Sequence, residues 1–122
     1  MAVTPGFRAF ALEQLGRVAT NLRSRSMFGG VGIYSAERFF ALLDDDALYL
    51  KVDDESRAAF EAQGMAPFLP FGDGSHVMQY YGIPGDLLED ADALRPWVER
   101  ALAAAGRKGR NRRSRDRPRR PR

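Results

Sequence analysis

Behind Thr4-Pro5, a capping residue followed by proline at a first helical position, apolar side chains return at Phe7, Phe10, Ala11, Leu15, Val18 and Leu22. That spacing predicts a first helix running to about Leu22. From Met27 the period shortens, and aromatic and branched residues concentrate in residues 27–34, 38–43 and 47–52, which reads as three strands. The connections at 35–37 and 44–46 are short enough to require antiparallel neighbours. Asp53 or Asp54 can cap a short second helix through Arg57, Ala58 and Phe60, ended near Gln63 by Gly64. Residues 67–71 and 75–81 flank Gly72-Asp73-Gly74, the pattern of a second hairpin whose first strand Pro70 confines to an edge. Leu94, Trp97, Val98, Ala101, Leu102 and Ala105 then form one helical stripe, with Asp90 or Asp92 as cap and Pro96 near the first turn. The third helix is expected to start after Asp92 and to bury Trp97 on that stripe.

The predicted order is α-β-β-β-α-β-β-α. Strands grouped in this way, without alternating crossover helices, imply an α+β fold: a two-layer sandwich with helices packed on an antiparallel sheet. No aliphatic or aromatic side chain follows Ala105. The domain is therefore drawn over residues 1–105, and residues 106–122 form a tail expected to be disordered when free, because it has no apolar area to offset its ordering entropy.

Charge divides the chain at the same place. The tail holds 10 of the 19 basic residues and one of the 16 acidic ones, Asp116, for a net of +9; the other residues carry −6 although the whole is +3. With no cysteine there is neither a disulfide framework nor a thiolate site. The absence of a basic-then-apolar leader and of long apolar runs points to a cytoplasmic protein that does not enter a membrane.

Candidate chemistry is sparse. Gly29, Gly30 and Gly32 sit in a glycine-rich run, but no Lys-Ser or Lys-Thr pair follows it and the next segment reads as strand, so a bulge or close backbone approach is favoured over a phosphate loop. His76 is the only histidine, which leaves no histidine metal cluster, and its neighbour Ser75 would point to the opposite face of a strand. The acidic runs at 44–46 and 53–55 lack the spacing of a calcium loop and read as turns and a helix cap. No metal or cofactor is expected. Tyr34, Tyr49, Tyr80, Tyr81, Phe28, Phe39 and Phe40 read first as core. Tyr80 and Tyr81 are adjacent on a strand, however, so one should face away from the helices and mark a protein interface on the sheet face or edge, a homodimer included. In the tail, Arg107, Lys108, Arg110, Arg112, Arg113, Arg115, Arg117, Arg119, Arg120 and Arg122 offer dense donors to phosphates of DNA or RNA.

Three ordered pieces carry a family resemblance: Met27-Phe28-Gly29-Gly30 with Gly32 and Tyr34; Leu48-Tyr49-Leu50-Lys51; and Tyr80-Tyr81-Gly82-Ile83-Pro84. Over Arg25 to about Leu102 the chain resembles the N-terminal domain of the TfoX family, named for a regulator of competence for DNA uptake. The resemblance implies a two-layer fold similar to the secretion-chaperone-like folds, and it brings no catalytic residue. Full-length members carry a second, C-terminal domain linked to transcriptional activation, where this sequence has its arginine-rich tail. The signature residues Met27, Phe28, Gly29, Gly30, Gly32, Tyr34, Tyr49, Lys51, Tyr80, Tyr81 and Pro84 are expected to be structural or to form an interface.

The combined reading is a regulatory or adaptor domain and not an enzyme. Its folded part binds protein, itself included, and its tail contacts nucleic acid without sequence preference. The alternatives are a purely protein-binding adaptor whose tail folds back on the acidic core, and an enzyme of unrecognised class.

Overall fold

The computed structural model describes residues 3–27, 29–68 and 79–116, the stretch 107–116 by its backbone alone. Helix α1 (Pro5–Gly16) is followed by strands β1 (Leu22–Met27), β2 (Gly30–Ser35), β3 (Arg38–Asp44) and β4 (Ala47–Lys51). Helix α2 (Arg57–Ala62), strand β5 (Tyr80–Ile83), the single-turn α3 (Gly85–Leu88) and the long α4 (Ala91–Asp116) complete the order. The strands form one five-stranded sheet in the order β1-β2-β3-β4-β5, antiparallel throughout, with helices on one side. The α+β class and antiparallel sheet expected from the sequence are those observed.

The elements depart from expectation at α1. The helix begins at Pro5, where Thr4 Oγ1 accepts from Phe7 N at 3.3 Å, but it ends at Gly16 and not near Leu22. Glycine is a poor helix residue, and Asn21 turns the chain with φ 54°. Residues 22–27 then pair with β2 from Leu22↔Ser35 to Met27↔Gly30, which makes four strands before α2 in place of three. The expected strand over 27–34 is split by Gly29, whose φ of 79° suits glycine.

The second helix lies where expected. Asp53 Oδ1 accepts from Glu55 N and Ser56 N, both at 3.1 Å, and Ser56 is the N-cap. Beyond α2, Pro67 bridges Tyr81, and Phe68 N donates to Tyr80 O at 2.7 Å, so this segment runs antiparallel along β5. The rest of the expected hairpin, with Pro70, the 72–74 turn, Ser75 and His76, lies outside the described residues.

The last helix starts at Ala91, not after Asp92, with Asp90 Oδ1 accepting from Ala93 N at 3.2 Å. The short α3 before it was not expected. Ala104 is the last buried residue among those whose side chains are described, close to the boundary drawn at Ala105, and the helical backbone continues to Asp116. Arginine and lysine are good helix formers and no proline intervenes until Pro118, so the helical backbone passes through Gly106 and Gly109.

The core lies between the sheet and α1, α2 and α4: Leu15, Ile33, Phe40, Leu43, Leu50, Phe60, Leu94 and Val98 are fully buried. Trp97 is half-buried, less than expected, because it stands at the rim of the layer, edge-on to Phe60 at 4.9 Å with Arg100 4.6 Å from its ring. Gln14 Nε2 donates to Leu88 O at 2.9 Å and ties α1 to α3. Among the described residues no helix is long and apolar enough to cross a membrane.

Candidate functional site

Side chains alternate across a sheet, so the pairing register separates the helix-facing residues from those on the opposite, open face. Val31, Ile33, Ala41, Leu43, Leu48, Leu50, Tyr81 and Ile83 face the helices. Arg23, Arg25, Met27, Gly30, Gly32, Tyr34, Phe39, Leu42, Tyr49, Lys51, Tyr80 and Gly82 face the other way. One irregularity makes this possible. Ile33 pairs with Ala41 but Tyr34 with Phe39, which leaves Phe40 as an extra residue that turns inward and is fully buried.

Across one end of the open face runs a ladder of rings. Arg23 lies 5.4 Å from the centroid of Tyr34, which stacks on Phe39 at 4.9 Å and 23°. Phe39 meets Tyr80 at 5.6 Å, and Lys51 Nζ stands 5.0 Å from the Tyr80 centroid. A cation thus closes the ladder at each end, the arrangement favoured by the negative faces of aromatic rings. Lys51 is only 3% exposed and Tyr80 only 5%. Burial, and then the Tyr34 phenol, push the Tyr80 phenol far above its ordinary range. A second aromatic pair, Tyr49 and Phe68 at 4.7 Å, lies beside Gly82. The Tyr49 phenol is also raised, by burial first and then by the Asp44 and Asp45 carboxylates.

The glycines keep this surface flat. A Cβ on Gly30 would run into the Leu43 carbonyl oxygen, and one on Gly32 would come within 2.6 Å of Met27 Cε and 3.2 Å of Phe39 Cε1. Both are places of close approach, Gly30 to the backbone of β3 and Gly32 to the side chains of Met27 and Phe39.

The signature residues therefore converge. Met27, Gly30, Gly32, Tyr34, Tyr49, Lys51 and Tyr80, drawn from three separate stretches of sequence, share the open face. Tyr81 faces the core, packs on Phe60 at 6.1 Å and donates to Glu61 Oε2 at 2.6 Å. Pro84 is the N-cap of α3, and Gly29 occupies the β1–β2 turn. Phe28 lies outside the described residues, as do the side chains of Arg107, Lys108, Arg110, Arg112, Arg113 and Arg115 and the whole of 117–122. Of the tyrosine pair, Tyr80 faces away from the helices as anticipated, but Phe39 and Lys51 pack on it, so the exposed aromatic surface lies instead at Tyr34, Phe39, Tyr49 and Phe68, all half-buried.

Sequence reading missed Arg23 and Phe68. Arg23 falls in the unassigned stretch between the overlong first helix and the strand expected from Met27, where Arg and Ser alternate without the apolar residues that mark a strand. The acidic runs serve the fold: Asp46 accepts from Thr4 N at 2.7 Å and from Thr4 Oγ1 at 2.9 Å, which fastens the start of α1 to the β3–β4 turn.

The family model described as TfoX N-terminal domain matches residues 13–105, a span that holds the whole open face and all five strands. The chain belongs to the TfoX N-terminal domain family. The DNA transformation protein TfoX1 of Aliivibrio fischeri (strain ATCC 700601 / ES114) is 39% identical over 57 residues, 47% of this chain and 25% of that protein. The chain thus matches about a quarter of the length of that relative. In this TfoX N-terminal domain, residues from each of the three signature stretches meet on the open face of the sheet.

Proposed function

We propose that this TfoX N-terminal domain is a regulatory adaptor in the control of competence for DNA uptake, a binding module and not a catalyst. The open face docks protein, while the basic end of α4 and the residues after it hold DNA or RNA by phosphate contacts. The observation that carries the reading is the convergence of the signature residues on the sheet face opposite the helices. A half-buried surface of Met27, Tyr34, Phe39, Leu42, Tyr49 and Phe68 combines apolar area with polar tips, the composition of a protein interface core. The relative's name, a DNA transformation protein, supports placing that interface in competence.

The test is complementation of a chromosomal deletion with the full chain, with Leu42→Asp on the open face, and with a full-length variant whose ten tail cations are glutamine. Transformation frequency and competence-gene transcripts should fall with Leu42→Asp even though the protein remains folded and abundant. Wild-type values from the folded variant would remove the open face from the function.

A further inference from the structure

The sheet has an edge at β1. Among the described residues no strand lies beyond it, so alternate N–H and C=O groups of a six-residue strand point outward. A shallow cleft flanks this edge on each face. On the helix side, Leu12, Gly16, Ala19, Leu22 and Ser24 line about 570 Å³; on the open side, Arg23, Arg25 and Tyr34 line about 370 Å³. An edge with a recess on either side is the geometry of strand addition, in which main-chain bonds give affinity and alternate side chains enter opposite recesses.

The two recesses differ in chemistry. The helix-side cleft joins the aliphatic Leu12, Ala19 and Leu22 to the polar Thr20, Asn21, Ser24 and Arg23, so its apolar wall is confined to the part beside α1. The open-side cleft carries the exposed guanidinium groups of Arg23 and Arg25, and Arg8 lies behind the strand with Nη2 donating to Ser24 Oγ at 3.0 Å. We propose that β1 accepts, as a sixth strand, an extended segment of a partner protein in which acidic residues alternate with apolar ones, the acids meeting Arg23 and Arg25 and the apolar side chains entering the cleft beside α1.

Charge decides between occupants. A second copy pairing β1 with β1 about a two-fold axis must place same-face residues opposite one another; in the two registers that pair five of the six residues, centring on Ser24 sets Arg23 against Arg25 and centring on Arg25 sets Arg25 against itself, both repulsive. The basic segment after Ala105 carries the same sign and is repelled too. Within the chain, the acidic turn is engaged at Thr4 through Asp46. The proposal rests on the protein-binding reading above and deepens it by naming the edge and the chemistry of its partner.

The probe is a six-residue peptide alternating Glu and Val, blocked at both ends, titrated into the isotope-labelled full chain. Saturable amide shifts over Leu22 to Met27 are expected. The Arg23→Glu/Arg25→Glu variant should bind the peptide about tenfold more weakly or worse, and should bind a Lys–Val counterpart instead. N-methylation of alternate peptide residues should abolish binding by the wild type, since it removes main-chain donors without changing charge. Equal binding of the N-methylated peptide, shifts confined to the open face, or no binding at millimolar peptide would each overturn the proposal. Concentration-dependent self-association with β1 shifts in the absence of peptide would also overturn it, by giving the edge to a second copy. Leu42→Asp should leave peptide binding unchanged, so loss of the edge site and loss of face docking are read separately.

Discussion

The rings of Tyr34 and Phe39 stack at 4.9 Å because the β2–β3 register slips by one residue between Ile33 and Tyr34. Without the slip Tyr34 would oppose Phe40, and Phe39 would point into the helix layer. Alternation already puts neighbouring phenylalanines on opposite faces; the bulge decides that Phe40 goes to the core and Phe39 to the aromatic ladder.

The two phenylalanines should therefore respond differently to truncation. Phe40→Ala should cost about 3 to 5 kcal/mol, the range for a fully buried ring, whereas Phe39→Ala should cost about 1 kcal/mol through lost ring contacts. Chemical denaturation of both variants checks this. Equal losses would mean that the bulge does not divide their roles.

The glycines under the open face should differ as well. Gly30→Val directs a side chain at the Leu43 carbonyl, which is backbone and cannot yield, while Gly32→Ala meets the flexible end of Met27, which can swing aside, and the edge of Phe39. Gly30→Val should lower the melting temperature sharply and Gly32→Ala only modestly. The reverse order would contradict the close approach at Gly30.

Alkaline stability follows from Tyr80. Its phenol is held above the ordinary value of 10.0 in the folded chain, first by burial. As pH rises past about 10, the unfolded chain loses this proton while the folded chain keeps it. The contribution is whole below that pH and is lost above it, and Tyr49, raised in the same direction, adds to the fall. Denaturation midpoints at pH 8 and pH 10.5, with Tyr80→Phe for comparison, measure the effect. The variant should show the shallower decline, and parallel declines would place the cause elsewhere.

Nucleic-acid affinity should reside in the basic segment. Five simultaneous phosphate contacts give a log-log salt slope of about −4.5 on duplex DNA and about −3.5 on single strands. Two unrelated probes should bind alike, since phosphates carry no sequence. Replacing Arg107, Lys108, Arg110, Arg112, Arg113, Arg115, Arg117, Arg119, Arg120 and Arg122 by glutamine should remove the binding without unfolding the domain. Unchanged affinity would show these side chains to be bystanders.

What the amino-acid sequence determined by itself was local: the Thr4-Pro5 helix start, the period-two runs of β3 and β4, the short second helix ended by Gly64, and the division of charge near Ala105. Each is written in neighbouring residues through caps, turns and periodicity. Tertiary structure decided what depends on partners distant in sequence. Leu22 to Met27 has too few apolar residues to announce a strand, and it becomes one by pairing with β2. Phe39 and Phe40 are indistinguishable in sequence until β2 imposes the bulge. The ladder from Arg23 to Lys51 draws one residue from each of the five described strands, so only the register of the assembled sheet could place two cations and three rings on one face.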